Sequence, residues 1–138
     1  MSERGERDTE TSRPDLRVEL FVADVARSTA FYRDVLGFAV LRAAPGGYTS
    51  IGRDGAVLGL NAAAQLPESH PARPRPGHPV GLGVELVVVV EDVAALHAQA
   101  SQRAEVSALV AQPWGLTDFR VSDPDGYYVR ITGPSGSR

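Results

Sequence analysis

The chain repeats itself. Val22-Ala23-Asp24-Val25-Ala26 and Val90-Glu91-Asp92-Val93-Ala94 agree at four of five positions and lie 68 residues apart. A strand-like apolar run precedes each aspartate: Val18-Glu19-Leu20-Phe21-Val22 in the first copy, Leu86-Val87-Val88-Val89-Val90 in the second. A helical stretch follows each. Asp24 and Asp92 are therefore placed as helix N-caps, where a carboxylate accepts from an orphan backbone N–H.

The rest of each half follows one order. Val25, Thr29, Tyr32, Val35 and Leu36 recur at spacings of three and four, which predicts a helix over 25–36. Gly37 ends it as a left-handed residue and Phe38 packs back. The second helix is expected over 93–101. Strands are expected over 38–43, 48–53 and 56–61, then over 106–111, 117–122 and 127–132, with Asp123-Pro124-Asp125-Gly126 as the last turn. Between the halves, 66–79 holds five of the ten prolines and is expected to be extended. The expected organisation is a disordered tail over 1–15, one domain over 16–133 and a short tail over 134–138. The domain divides into module one at 16–64, a proline-rich linker at 65–80 and module two at 81–133. Each half is only about 60 residues and marginal alone, so the two should share an interface.

Composition removes several functions. There is no cysteine, which excludes disulfide scaffolds and thiolate chemistry, and every basic residue is Arg, which excludes a Schiff-base lysine. The formal net charge of −3 argues against a nucleic-acid partner. The most apolar run, 80–90, is too short to span a bilayer and carries Glu85, so no membrane partner is expected. No targeting signal is read in 1–14, and the expected location is the cytoplasm.

The 22–38 segment, with Asp24, Phe31-Tyr32 and Val35-Leu36-Gly37-Phe38, and the Asp123-Pro124-Asp125-Gly126 turn together resemble the glyoxalase, bleomycin-resistance and extradiol dioxygenase proteins, the vicinal oxygen chelate superfamily. The stretch Gln112-Pro113-Trp114-Gly115-Leu116-Thr117-Asp118-Phe119 is similar to the bleomycin-resistance branch. The resemblance covers about 16–133. It implies an α+β fold of two tandem βαβββ modules whose curled mixed sheets surround a shared cleft, in a homodimer.

The resemblance also implies where metal ligands would stand: on the first and last strands of each module. Those positions hold Arg17, Gly59, Glu85 and Arg130. Arg offers only donors and glycine has no side chain, so one carboxylate remains where about three ligands are needed. A shift of register brings in Glu19, which makes two. No metal and no cofactor are therefore expected. His70 and His78 fall in the linker and His97 on the second helix, where exposed or edge imidazoles are the expectation.

Alternation along the strands assigns faces. Val18, Leu20 and Val22 turn to the helix, and Arg17, Glu19 and Phe21 turn to the cleft. Glu85, Val87 and Val89 share the cleft face of the fifth strand, Tyr128 and Arg130 that of the last, and Asp118 and Arg120 that of the seventh. The candidate ligand-binding set is Arg17, Glu19, Phe21, Glu85, Val87, Trp114, Tyr128 and Arg130: apolar and aromatic groups with a few charges, the make-up of a small-molecule pocket. Arg17, Glu85 and Arg130 are read either as ligand contacts or as a structural ion cluster filling a vestigial metal site. Trp114 is either a plug between modules or a stacking wall for a planar ligand. Of the Tyr127-Tyr128 pair, one should be buried or at an interface and the other in the cleft. Gly81-Leu82-Gly83 lacks the context of a dinucleotide site.

The function expected is metal-free binding of an aromatic, drug- or natural-product-like molecule by sequestration, with no catalytic residue. Three alternatives stay open: a metal-dependent glyoxalase- or dioxygenase-type enzyme with a displaced site built from Glu19, Glu85 and a linker histidine; a metal-free isomerase or cyclase using Glu85 as base; and a scaffold whose cleft is packed shut.

Overall fold

The computed structural model describes residues 16–45 and 47–134. The tail expectations for 1–15 and for 135–138 fall outside them. Module one runs β1 (Val18–Val22), α1 (Val25–Asp34), β2 (Ala39–Ala43), β3 (Thr49–Arg53) and β4 (Ala56–Ala62). Module two runs β5 (Leu86–Val89), α2 (Val93–Ser101), β6 (Val110–Ala111), β7 (Thr117–Ser122) and β8 (Tyr128–Thr132). Each builds a four-stranded mixed sheet, in order β1-β4-β3-β2 and β5-β8-β7-β6, with its first strand parallel to its last. The repeat in sequence is a repeat in topology.

Both helices start as expected. The Asp24 carboxylate accepts from the Arg27 amide at 3.1 Å, and Asp92 accepts from the Ala95 amide at 3.0 Å. Helix α1 stops two residues before the expected Leu36. Val35 caps it, Gly37 takes φ +75°, and the Phe38 amide donates to the Tyr32 carbonyl at 2.9 Å. That is the left-handed exit foreseen for this glycine.

Two expectations need correction. The strand expected over 106–111 pairs regularly with β7 only at Val110–Ala111. Further back, Ser107 donates its amide to the Arg120 carbonyl at 2.9 Å but accepts the Arg120 amide on its hydroxyl, at 2.8 Å. A side chain has displaced the ladder carbonyl. The linker is not extended either. The amides of Leu66, His70, Arg73 and His78 each bond to the carbonyl three residues earlier, so it is a chain of turns. Proline fixes a φ that such turns share with extended chain. Arg73 then draws the segment together by donating to the Ala63 and Leu66 carbonyls.

One core joins the modules. Tyr32, Leu36, Phe38, Ile51 and Leu60 of module one pack in the same cluster as Val90, Leu96, Phe119 and Ile131 of module two. Leu20 and Val22 turn inward from β1, and Val129 and Ile131 from β8, as alternation predicts. The polar joint is the turn between β7 and β8. Asp123 Oδ1 accepts the amides of Asp125, Gly126 and Tyr127, each at 2.9 Å. Its Oδ2 accepts the buried Tyr32 hydroxyl at 2.8 Å. Asp125 accepts the Ala23 amide at 2.9 Å and the Ser28 hydroxyl at 3.3 Å. The Tyr127 hydroxyl donates to the Phe21 carbonyl and accepts the Phe21 amide. Side chains of module two thus satisfy the free edge of β1, which would otherwise be an open template. No helix among the described residues is long and apolar enough to cross a membrane.

Burial raises the Tyr32 hydroxyl far above the ordinary tyrosine range, and the Asp123 carboxylate beside it adds to the rise. A raised folded value favours the folded state at pH values below about 10 and withdraws that support as pH climbs from there. Tyr32→Phe is expected to cost about 1.5–3 kcal/mol at neutral pH, the scale of a hydrogen bond to a charged group. It should also flatten the loss of stability between pH 9 and pH 11, on the order of the tyrosine titration range. Thermal melts of both proteins across that range check it. Burial likewise raises the Asp123 carboxyl. Its favourable contribution is largest below the ordinary aspartate value and fades as pH rises through the raised one. Asp123→Asn should remove that part of the acid-limb slope.

Candidate functional site

The candidate residues separate into two groups. Glu19 and Phe21 of β1 line a cavity of about 300 Å³ with Ala72 of the linker and Val84, Leu86 and Tyr128 of module two. It lies between the modules, and its walls are mostly aliphatic and aromatic. The His70 ring stands 5.7 Å from the Phe21 ring, so a turn of the linker packs beside the cavity. Glu85 and Val87 instead line a second, more open cavity of about 610 Å³, with Leu16, Val18 and Leu58 across from them.

The second group is an ion network on the face of sheet two turned away from its helix, the face assigned to the cleft. Arg120 reaches Glu85 at 3.3 Å and Asp118 at 3.5 Å. Arg130 reaches Glu85 at 3.4 Å and Asp118 at 3.6 Å. The Asp118 side chain is fully buried, Arg130 is 20% exposed and Glu85 34%. Gln112 donates to Asp118 Oδ1 at 2.9 Å. Two cations face two anions, so the network is neutral. Alternation placed Asp118 and Arg120 on this face. It gave no sign that Asp118 would be buried there, where Gln112, Arg130 of β8 and its own strand's Arg120 close over it.

Arg17 is a correction. The Arg17-Glu85-Arg130 cluster does not form: Arg17 is exposed and makes no ion pair among the described residues. Asp118 and Arg120 take its place. The charge already balances on sheet two, so nothing there holds a third guanidinium. Trp114 is a second correction, to its reading as a plug. It is 60% exposed. The tight turn closed by Gln112 N to Leu116 O at 2.7 Å, with Gly115 at φ +97°, projects it outward. It lines neither cavity.

Tyr127 and Tyr128 split by role as expected: Tyr127 is tied to the β1 backbone and Tyr128 is on the cavity side. Sequence reasoning missed Val84 and Leu86, and the reason for Gly81. This glycine has φ +69°, and a β-carbon on it would stand 2.9 Å from the Tyr127 ring. The Gly81-Leu82-Gly83 signal therefore marks close approach of a ring, not a phosphate loop.

The residues do not fit a divalent ion at the position the superfamily uses. Glu85 is held by two guanidinium groups, Arg130 is itself a cation, and Gly59 offers no donor. Among the described residues no three His, Asp or Glu side chains converge. Arg130→Ala would leave buried Asp118 with one cation fewer, and we expect a loss of about 2–4 kcal/mol. Arg130→Leu combined with Asp118→Leu should recover much of it, since removing both members spares the uncompensated charge. Chemical denaturation of the three proteins measures this.

The comparisons agree with this geometry. The profile of the Glyoxalase/Bleomycin resistance protein/Dioxygenase superfamily matches residues 16–131. No similar protein was found among curated sequences. Solved structures share the fold. TioX from Micromonospora sp. ML1 superposes with a TM-score of 0.70 at 21% identity, covering 86% of this chain and 96% of its own. TnmS3, an antibiotic binding protein from Streptomyces sp. CB03234, gives 0.62 at 28% identity, over 86% and 93%. A lactoylglutathione lyase from Agrobacterium tumefaciens gives 0.63 at 22%, over 86% and 91%. With its duplicated βαβββ modules and a profile match across both, the chain belongs to the glyoxalase/bleomycin resistance protein/dioxygenase superfamily.

Proposed function

We propose that this protein binds an aromatic or amphipathic small molecule without turning it over, as a homodimer in the cytoplasm. The observation that carries the reading is the 300 Å³ cavity between the modules, with Phe21, Val84, Leu86 and Tyr128 in its walls. A mostly apolar recess of this size with few polar groups suits a small organic ligand. Likeness to TnmS3, described as an antibiotic binding protein, supports the same ligand class. The arrangement of charges favours binding over chemistry. A general base needs a free carboxylate within reach of a proton, and Glu85 is clasped by Arg120 and Arg130. The dimer is supported by apolar side chains on open strands, Val40 and Leu41 on β2 and Val87 and Val89 on β5, which a second copy would cover.

Thermal melts, mass spectrometry and sedimentation test the reading. A panel of polycyclic aromatic compounds should include members that raise the melting temperature. At about 100 times Kd the gain is about 2.7 kcal/mol. Val84→Trp, which fills the cavity from an exposed loop position, should abolish the shift while leaving the ligand-free melt near that of the wild type. Mass spectrometry should recover the ligand unchanged. Consumption of the compound, or no shift across the panel, defeats the reading. Trp114 is too far out on its hairpin to serve as the reporter, so calorimetry is preferred. Sedimentation should give twice the chain mass.

A further inference from the structure

The cavity has one charge. Among the described residues lining it, Glu19 alone is ionic. Among the described residues no arginine forms an ion pair with Glu19. Arg120 and Arg130 are balanced by Glu85 and Asp118. Arg73 spends its guanidinium on the Ala63 and Leu66 carbonyls. Arg17 shares a strand face with Glu19, yet it is exposed and forms no ion pair with it. The partner Glu19 does have is neutral: Asn61 donates to its Oε1 at 2.7 Å.

The floor beneath this carboxylate is built for it. Gly59 sits in β4, a central strand, paired with Glu19 on one side and Ser50 on the other. Glycine weakens a strand and is expected there only for a conformational or spatial reason. Its φ lies outside the left-handed region, so conformation is not the reason. Space is. A β-carbon at Gly59 would stand 2.5 and 2.7 Å from the two carboxylate oxygens of Glu19 and 2.7 Å from the Tyr48 hydroxyl. The bare position lets a carboxylate and a phenol lie down together on the sheet, beside the apolar wall begun by Phe21.

We propose that the ligand is a cation: a hydrophobic or aromatic amine whose protonated nitrogen takes Glu19 as its counter-ion. This rests on the binding reading above and narrows it. Asn61 holds Oε1, which leaves Oε2 to accept from the ammonium. The Tyr48 hydroxyl beside it is a second polar contact, and the ring faces of Phe21 and Tyr128 favour a cation nearby. The body of the ligand occupies the apolar recess. A neutral analogue keeps at most a hydrogen bond to the carboxylate and loses the ion pair, and an anionic one meets a like charge at Glu19.

Three probes with one ring system isolate the charge: 2-naphthylmethylammonium, 2-naphthylmethanol and 2-naphthoate, each titrated by calorimetry into the full-length protein. The ammonium should bind about tenfold more tightly than the alcohol, with the carboxylate weakest, the scale of one charge-assisted hydrogen bond. Added salt should shrink that preference in the wild type, a readout that needs no variant. Glu19→Gln keeps an acceptor for Asn61 and should bring the ammonium and the alcohol to within about threefold of each other, chiefly by weakening the ammonium. Gly59→Ala should act the same way, because its methyl group displaces the carboxylate without altering residue 19. Equal binding of the three probes to the wild type, or a preference that survives Glu19→Gln, overturns the cation proposal and leaves the cavity reading standing. No binding of any probe overturns both.

Discussion

The Asp123 carboxylate holds the two halves of this molecule in one arrangement. Three amides of its own turn converge on one oxygen, which makes the turn rigid. The other oxygen receives Tyr32 from the helix of module one. Because the turn is rigid, the side chains that follow it are aimed: Asp125 to the start of α1 and Tyr127 to the edge of β1. Each module, at about 60 residues, is marginal by itself. A polar joint set against a continuous core gives their contact a single geometry, which packing of aliphatic groups alone specifies less sharply. The walls of the intermodular cavity are the residues next to this joint, so its shape depends on the same carboxylate.

The other organising constraint is charge balance. Sheet two carries two arginines and two acids on one face, and each arginine touches both acids. Self-neutralised charges in a partly buried set steer ligands weakly, because each is already matched. Module one has no such closure. Glu19 has an amide for company and an arginine that stays in solvent. The duplicated modules have therefore diverged in electrostatics while keeping one topology. At the positions where the superfamily resemblance implies metal ligands, one copy carries an internal ion network and the other a glycine floor beneath a carboxylate.

Much of this was legible in the sequence. The two aspartate caps, the Gly37 exit, the sidedness of β1, β5, β7 and β8, and the linker position all follow from local rules that need only neighbours in the chain. What failed did so for a shared reason. Trp114 looked like a plug because large aromatics are usually buried, but its place on a hairpin tip is set by a turn closure. The linker looked extended because proline was counted, while Arg73 folds it through carbonyls seven and ten residues away. Arg17 was grouped with Glu85 and Arg130 by strand phase, and phase does not say which charges reach each other. Asp118 was assigned to the correct face, and strand phase said nothing of its burial, which depends on side chains brought to it by the fold.

By itself, then, the chain's pattern determined the duplicated βαβββ order and the face on which each strand residue lies. These depend on period, spacing and capping, which act over a few residues. The tertiary structure alone decided which charged groups pair, where the intermodular cavity lies and that Glu19 is the one ionic group among its described lining residues. Those depend on distances between segments as much as 106 residues apart, and Coulomb and packing forces respond to distance in space, not to separation along the chain.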